Sequence, residues 1–380
     1  MIVRKLEKKI LNRLGDKKAL VILGPRQVGK TTLLKVVFKN VDKVLWLNGD
    51  NAKTRLLFDE ISVELLKNII GNNKYIIIDE AQRIKNIGIK MKLITDQIDG
   101  VQLIATGSSS LDLSNEIKEP LTGRKWEYKM FPVSFGEMVD THGFYNENLL
   151  LDDRLIYGYY PDVVTAKDDK VEILNLLASD YLYKDILQWN KIKRADKITK
   201  LLQLLAYQVG NQVNYSELGR SVGLDNETVE SYIDILEKAF IIFRLNSFSR
   251  NHRKELKKSK KIFFYDNGIR NALIANFSPL ALRNDVGALW ENFLISERLK
   301  YTNYENIYAN KYFWRTSTQQ EIDYIEDRDG KLFAYEFKWS PNAKAKSPKM
   351  FTNAYPDSEL LVVSQGNYSE FLQGKNEFFS

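Results

Sequence analysis

The feature that most constrains the fold of this chain is a glycine-rich segment of eight residues, Gly24–Thr31, which reads GPRQVGKT. The apolar segment ALVIL precedes it, and the helix-like segment TTLLKVVF begins at its last residue. Gly24 and Gly29 allow the backbone to turn tightly and to direct its N–H groups toward phosphate oxygens. A buried strand, this turn and a helix N-terminus together predict a phosphate-binding loop in an α/β fold.

The residue types of this loop match the chemistry of a Mg²⁺-bound nucleotide. We expect the Lys30 ammonium to contact the β- and γ-phosphates and the Thr31 hydroxyl to bind Mg²⁺. The residues predicted to contact the nucleotide are Gly24, Pro25, Arg26, Gln27, Val28, Gly29, Lys30, Thr31 and Thr32.

A second motif, YIIIDE at Tyr75–Glu80, supplies acidic residues at the end of another apolar strand. We expect Asp79 to hold Mg²⁺, directly or through water. Glu80 follows it and is expected to orient or deprotonate the attacking water. The two motifs, in this order and context, predict a catalytic nucleotide site.

Two further polar positions are candidates for the same site. The segment Thr106–Ser110, TGSSS, follows an apolar strand, and one of its hydroxyls is expected to act as a γ-phosphate sensor; the alternative is an ordinary polar turn. Arg124, in LTGR, is expected to stabilise charge in the transition state. The alternatives for Arg124 are a surface arginine and an ion pair.

The segments GPRQVGKT, YIIIDEAQR, ATGSSS, LTGR and FPVSFGE resemble, in this order, the prokaryotic AAA+ ATPases that carry a restriction-endonuclease-like C-terminal domain of uncharacterised function. GYYPDVV (158–164) and YLYKDI (181–186) resemble the connecting region of that family. The resemblance covers essentially the whole chain. It implies ATP and Mg²⁺ as cofactors, with ATP hydrolysis at Lys30, Thr31, Asp79 and Glu80, and sensor or finger roles for Ser108 and Arg124.

The pattern along the chain predicts three parts. Residues 1–148 alternate apolar strands with helices, which is typical of the parallel α/β core of a P-loop, AAA+-like ATPase. Residues 149–270 are mainly helical, and residues 271–380 are mixed α/β. The predicted strands of the first part are Ala19–Leu23, Val44–Asn48, Tyr75–Ile78 and Val101–Ala105, and its predicted helices are Lys30–Phe38, Leu56–Ile70 and Ile89–Asp99.

The middle part contains a candidate winged helix at residues 213–245. Two helical segments flank a turn at Gly223, and two apolar strands flank the run Arg250–Lys261, which has seven Lys/Arg against one Glu. We expect this run to contact the phosphate backbone of DNA; the alternative is a solvated loop. The second helix is acidic, which argues against recognition of DNA bases by this helix. Contacts of the winged helix within the protein are therefore an alternative.

The segment EIDYIEDRDGKLFAYEFK at Glu321–Lys338 predicts a β-hairpin with its turn at Asp329-Gly330. That turn places Asp323 opposite Glu336, and Glu321 opposite Lys338, on one face. Like charges directly opposite each other destabilise a sheet, and a divalent cation between them would compensate.

This hairpin resembles the PD-(D/E)xK nuclease core, with Ile322 where that family usually has proline. The resemblance implies that Asp323 and Glu336 hold Mg²⁺ and that Lys338 helps position or activate water. One of two helical residues, Glu291 or Glu297, would complete the site. The alternative is a degenerate scaffold without cleavage.

The composition excludes several classes of chemistry. The chain has no cysteine and only two histidines, which excludes disulfides, thiolate sites and histidine-rich metal sites. It has no apolar run long enough to span a membrane and no apolar signal segment near its N-terminus, so we expect a cytoplasmic protein without a membrane partner.

The function predicted from these features is Mg²⁺-dependent ATP hydrolysis coupled to DNA binding, with cleavage of nucleic acid left open. The alternative is a nucleotide-controlled protein-interaction switch with a non-cleaving nuclease-like domain. A homo-oligomer and a protein partner both remain open.

Overall fold

The strand before the glycine-rich loop, β1 (Ala19–Leu23), is buried along its whole length. It lies inside a five-stranded parallel sheet of order β2-β3-β4-β1-β5, where strands are covered on both faces and read as continuous apolar segments. The other strands are β2 (Val44–Asn48), β3 (Tyr75–Asp79), β4 (Gln102–Gly107) and β5 (Lys125–Lys129). The four strands predicted from sequence are thus present. The fifth, β5, is an edge strand whose mixed sequence KWEYK is only partly buried, which explains why the apolar pattern did not reveal it.

The computed structural model describes residues 2–59, 62–108, 113, 115–180, 195–249, 259–316, 318–341 and 348–374. The segment YLYKDI (181–186), which contributed to the family resemblance, lies outside the described residues. The chain divides into two compact units: Met1–Val133 with Lys238–Phe240, and Ser134–Glu237 with Ile241–Ser380. No helix in the described part of the chain is both long and apolar enough to cross a membrane.

The helices of the first unit are α1 (Lys5–Leu11), α2 (Lys30–Val37), α3 (Ala52–Asp59), α4 (Val63–Ile70), α5 (Ile87–Gln97) and α6 (Asn115–Lys118). The prediction of a single helix over Leu56–Ile70 is wrong, because the structure has two helices there, α3 and α4. Ser62 begins α4 as its N-cap, because its hydroxyl accepts a hydrogen bond from the Leu65 N–H at 3.2 Å. A residue with extended backbone at this position separates α3 from α4.

The second unit begins with a helical region and continues into a mixed sheet. Its helices are α7 (Phe135–His142), α8 (Phe144–Leu149), α9 (Leu151–Tyr157), α10 (Pro161–Thr165), α11 (Lys170–Asp180), α12 (Ala195–Tyr207), α13 (Tyr215–Val222), α14 (Asn226–Lys238), α15 (Asn267–Leu273), α16 (Val286–Tyr304), α17 (Lys349–Ala354) and α18 (Tyr368–Gln373). Its strands are β6 (Gln212–Val213), β7 (Ile242–Ser247), β8 (Lys260–Phe264), β9 (Asn310–Arg315), β10 (Glu321–Arg328), β11 (Lys331–Phe337) and β12 (Glu359–Val363).

These seven strands form one sheet of order β12-β11-β10-β9-β7-β8-β6. Strand β8 pairs antiparallel with β6 and β7, and β7 pairs parallel with β9. The strands that accompany α13 and α14 are therefore continuous with the C-terminal sheet. A single sheet thus crosses the boundary predicted near residue 270.

The C-terminal hairpin has the register expected from its turn. Tyr324 lies opposite Tyr335 and Arg328 lies opposite Lys331, so the loop consists of the two residues Asp329 and Gly330. Both loop residues have positive φ, of 50° and 84°, as this type of tight turn requires. The pairing of β10 with β9, in contrast, shifts register between residues 322 and 325, which brackets Asp323.

Candidate functional site

The glycine-rich loop connects the end of β1 to the start of α2. A Cβ atom at Gly24 would lie 2.0 Å from the Met130 carbonyl oxygen, so only glycine fits there. Gly29 has a left-handed φ of 91° immediately before the first helical residue, a conformation that glycine adopts without strain. The two glycines are therefore required by the observed backbone, at the N-terminus of a helix that favours anions.

Lys30, the first residue of α2, is only 5% exposed. Its Nζ donates hydrogen bonds to the Gly24 carbonyl at 2.8 Å and to the Pro25 carbonyl at 2.7 Å. Two backbone carbonyls of the loop therefore hold the Lys30 ammonium in place over the loop. The remaining predicted contacts, from Arg26 to Val28 and at Thr32, lie in the same loop or in the first turn of α2.

Asp79 ends strand β3 and is buried. Its Oδ2 accepts a hydrogen bond from the Thr31 hydroxyl at 2.7 Å, and its Oδ1 accepts one from the Thr106 hydroxyl. Strands β1, β3 and β4 are parallel, so their carboxyl ends bring these three side chains to one edge of the sheet. The structure therefore brings together the two residues that sequence predicted as metal ligands.

This pair fits Mg²⁺. A threonine hydroxyl and a carboxylate are the hard oxygen ligands that Mg²⁺ prefers, together with phosphate oxygens and water. Thr31 and Asp79 would hold the ion beside Lys30, and the ion would neutralise charge on the β- and γ-phosphates.

Glu80 lies directly after β3 with a left-handed backbone, φ 52°. Its Oε2 accepts a hydrogen bond from Gln82 Nε2 at 2.6 Å, and the same nitrogen donates to the buried Ser108 hydroxyl at 2.8 Å. The Glu80 N–H donates to Thr106 Oγ1 at 3.1 Å. The predicted base and the predicted sensor are thus linked through Gln82.

Two residues of this site were not identified from the sequence, and the partner of a third, Thr106 in the segment TGSSS, was not specified. Gln82 lies within the quoted motif YIIIDEAQR, but its hydrogen bonds join Glu80, after β3, to Ser108, after β4. Arg4, near the N-terminus, donates from its guanidinium to the Val28 carbonyl at 2.6 Å and the Phe131 carbonyl at 2.7 Å, and so positions the loop. No local pattern indicates Arg4, because its partners are 24 and 127 positions away.

Arg124 lies away from the phosphate site of its own chain, so the structure corrects its predicted direct role there. Its carbonyl accepts a hydrogen bond from the Ala19 N–H at 2.9 Å, which places it where β1 begins. The loop follows the other end of this strand, about 15 Å away at the usual rise per residue. The Arg124 side chain is 45% exposed and forms an ion pair with Asp96 at 2.6 Å.

A second cluster of charged groups lies in the second unit, around the C-terminal hairpin. The Asp323 carboxylate accepts a hydrogen bond from the Phe337 N–H at 2.7 Å, and Lys338 Nζ pairs with Glu336 Oε1 at 2.6 Å. Burial, together with the carboxylates of Glu291 and Glu336, raises the pKa of Asp323 to about 8. The predicted residues Glu291, Asp323, Glu336 and Lys338 are therefore electrostatic neighbours.

Glu297 has a different environment. Its carboxylate pairs with Lys300 at 2.6 Å and accepts a hydrogen bond from the Phe135 N–H at 2.7 Å, so it stabilises the start of α7. Of the two candidates on helix α16, Glu291 is therefore the residue whose carboxylate raises the pKa of Asp323. The alternative prediction, that Glu297 completes the cluster, is wrong.

Lys261 lies at the centre of the C-terminal cluster. Its Nζ is 3.0 Å from Glu291 Oε1 and 2.6 Å from Glu321 Oε1, and the side chain is 3% exposed. Burial alone would lower the pKa of Lys261, but the carboxylates of Glu291, Glu321 and Asp323 outweigh it and raise the pKa above its ordinary value. Lys261 was predicted as part of a DNA-contacting loop, and the structure corrects this.

The carboxylates of this cluster do not fit the Mg²⁺ that the nuclease resemblance implies. Within the described ranges, no group of three or more Asp, Glu or His side chains is arranged to hold a metal ion. An ammonium already lies between Glu291 and Glu321, where a cation would be needed.

The acidic helix α14 faces basic residues of the neighbouring strands. Arg244 on β7 pairs with Asp234 at 2.7 Å and with Glu237, and Lys260 on β8 pairs with Glu230 at 3.0 Å. Lys260 and Lys261 are therefore engaged in ion pairs within the protein. The rest of the predicted DNA-contacting run, residues 250–258, lies outside the described residues.

Comparison with known families divides the chain into three matched segments. Residues 16–139 match the family described as AAA domain. Residues 148–280 match a Domain of unknown function (DUF8612), and residues 286–379 match a Domain of unknown function (DUF4143). With the geometry above, the first segment is an AAA-type domain with the fold of a P-loop ATPase.

Relatives span most of the chain at low identity. An uncharacterized protein of Mycobacterium tuberculosis is 27% identical over 329 residues, which cover 84% of this chain and 70% of the relative. An uncharacterized protein of Methanocaldococcus jannaschii is 25% identical over 387 residues, which cover 94% and 84%. A solved structure described as a Walker-type ATPase of Pyrococcus abyssi has a TM-score of 0.52 at 16% identity and covers 72% of this chain and 96% of that one, which shows a shared fold.

Proposed function

We propose that this protein is a Mg²⁺-dependent ATPase whose nucleotide state controls the binding of a partner. The observation that carries this proposal is the 2.7 Å contact between Thr31 Oγ1 and Asp79 Oδ2. It joins the phosphate-binding loop to the acidic strand end, as a site for a metal-bound triphosphate requires.

Each group of the site has a distinct task in this proposal. The Lys30 ammonium exchanges its two loop carbonyls for phosphate oxygens when ATP binds. Glu80 orients the attacking water and accepts its proton. Gln82 holds the Glu80 carboxylate and the Ser108 hydroxyl through one nitrogen, so a movement of Ser108 toward the γ-phosphate would release Glu80 for catalysis.

The proposed activity is tested by steady-state phosphate release from ATP. We expect turnover with Mg²⁺ and none in excess EDTA, because the phosphate charge is then not neutralised. Addition of DNA separates two modes of action: faster turnover indicates coupling to DNA, and slow, unchanged turnover indicates a switch. Turnover that is equal with Mg²⁺ and with EDTA would contradict the proposal.

DNA is the partner class that we propose, bound by a winged helix that comprises α13, α14 and the basic segment between β7 and β8. This proposal rests on the sequence of residues 250–258, which contains five Lys/Arg and one Glu. A dense positive segment releases counterions when it meets a phosphate backbone, which favours binding without sequence specificity.

We expect the triple substitution of Lys254, Lys257 and Lys258 by Ala to weaken DNA binding and to flatten its salt dependence. The logarithmic slope should fall by up to about 0.9 for each lost phosphate contact. The measurement is fluorescence anisotropy with duplex DNA at several salt concentrations. A matched control replaces three lysines that are exposed elsewhere in the second unit, Lys167, Lys200 and Lys349. An equal loss in both variants would show only an effect of net charge.

For the C-terminal domain, we propose the non-cleaving alternative. Phosphodiester cleavage of the predicted kind needs a divalent cation on Asp323, Glu336 and Glu291. Lys261 already holds Glu291, so the domain is proposed to dock a partner rather than to cut DNA. Mg²⁺-dependent nicking of a plasmid by the wild-type protein would contradict this.

A further inference from the structure

Arg4 connects two segments of the first unit that are far apart in sequence. Its buried guanidinium donates from Nη1 to the Val28 carbonyl of the phosphate-binding loop at 2.6 Å and from Nη2 to the Phe131 carbonyl at 2.7 Å. A guanidinium is planar and holds its N–H donors in a fixed geometry. Arg4 therefore sets the distance between the loop and the backbone at residue 131.

The residue before Phe131 contacts the same loop at a second point. The Met130 N–H donates to the Leu23 carbonyl at 2.7 Å, and the Met130 carbonyl packs so closely against Gly24 that no side chain fits between them. Residues 130 and 131 are thus attached to the start of the loop directly and to its later part through Arg4. A change in the backbone of the loop must act on this segment.

The same segment leads into the second unit, because the chain passes from the first unit to the second between residues 133 and 134. Three residues separate Phe131 from Phe135, the first residue of α7, whose N–H donates to Glu297 of α16 at 2.7 Å. Pro132 lies in this connection and fixes one of its backbone dihedral angles. A short, stiff connection therefore runs from the hydrogen bond of Arg4 to a buried hydrogen bond of the second unit.

We propose that Arg4 is a positioning residue that transmits the nucleotide state of the loop to the second unit through residues 131–135. Lys30 holds the Gly24 and Pro25 carbonyls in this structure and would release them to ATP, so the loop has two arrangements. An element with two arrangements is what a coupling between two sites requires. The inference rests on the proposed ATPase function and deepens it, since it names how ATP would act on the unit assigned to the partner.

The test is hydrogen–deuterium exchange of the full chain, with and without Mg²⁺ and AMP-PNP, an ATP analogue that is not hydrolysed. The Phe135 N–H is a suitable reporter, because it is buried and hydrogen-bonded within the second unit. In the wild type, we expect the analogue to slow exchange both in the loop and in residues 134–142. The effect on residues 134–142 should be about fivefold or more, the lower range of usual couplings between sites.

Arg4→Met removes both hydrogen bonds and keeps an apolar chain. We expect the analogue still to protect the loop in this variant, whereas the protection of residues 134–142 is lost. Arg4→Lys is the second variant, should Arg4→Met fail to fold. It retains the charge but has one nitrogen in place of the two that reach the two carbonyls, so the same loss is expected.

The matched control is Arg55→Met. The Arg55 guanidinium also donates to two carbonyls of the first unit, those of Gly49 and Asp50, but both lie outside the loop. This variant should keep the protection of the loop and of residues 134–142.

Three results would overturn the inference. The first is a wild type in which the analogue protects the loop and leaves residues 134–142 unchanged. The second is an Arg4 variant in which both regions respond as in the wild type, since Arg4 would then be merely structural. The third is loss of analogue binding in both Arg4 variants, which would show that Arg4 serves the loop alone. Failure of the proposed ATP site itself is distinguishable, because the analogue would then not protect the loop of the wild type, and both proposals would fall.

Discussion

We expect Glu80→Gln to reduce ATP turnover by about 10²- to 10⁴-fold, the usual contribution of a general base. ATP binding should be preserved, because Lys30, Thr31 and Asp79 are unchanged. The substitution keeps the size of the side chain and removes only the charge that accepts a proton. The measurement is steady-state phosphate release together with calorimetric titration of ATP.

The matched control for this substitution is Glu119→Gln, at an exposed position of the same unit. It removes the same charge outside the motifs of the nucleotide site and should leave turnover unchanged. Equal turnover of wild type and Glu80→Gln would show that another group activates the water. A loss of ATP binding in Glu80→Gln would show that the carboxylate has a structural role.

The second large effect is expected for Lys30→Ala, which should abolish ATP binding or weaken it by at least about a hundredfold. Hydrogen bonds to charged groups contribute roughly 1.5–3 kcal/mol each, and the ammonium is expected to contact two phosphates. Calorimetric titration of ATP measures the loss directly.

Lys35→Ala is the control, because Lys35 is exposed on the same helix. Lys30 also holds the Gly24 and Pro25 carbonyls, so thermal unfolding without nucleotide must accompany the titration. A Lys30→Ala protein that unfolds at the wild-type temperature and still binds ATP with wild-type affinity would contradict the assigned site.

The ATP site could be predicted because its chemistry is contiguous in sequence. The loop Gly24–Thr31 lies between a strand and a helix, and Asp79 with Glu80 ends another apolar strand. In a parallel sheet the carboxyl ends of all strands lie on the same side, so the two motifs face the same side of the sheet although β4 lies between β1 and β3. The register of the C-terminal hairpin could be predicted for a similar reason, because a two-residue turn determines which residues of the two strands lie opposite each other.

Arg124 shows what local sequence does not contain. Its motif follows the other candidate segments in chain order, but the residue precedes β5 instead of following it. In a parallel sheet this difference places a side chain at the amino ends of the strands instead of at their carboxyl ends. Because the apolar pattern did not reveal β5, the sequence did not indicate at which ends of the strands Arg124 lies.

The sequence by itself determined the phosphate-binding loop, the acidic strand end and the hairpin, since each depends on neighbours within a few residues. The tertiary structure alone decided how charges from distant segments combine. Lys261 belongs by sequence to a basic run, yet strand pairing carries it beside Glu291 and Glu321, 30 and 60 positions later. Arg4 reaches the loop in the same way. Electrostatic energy depends on distance in space, and only the folded chain fixes that distance.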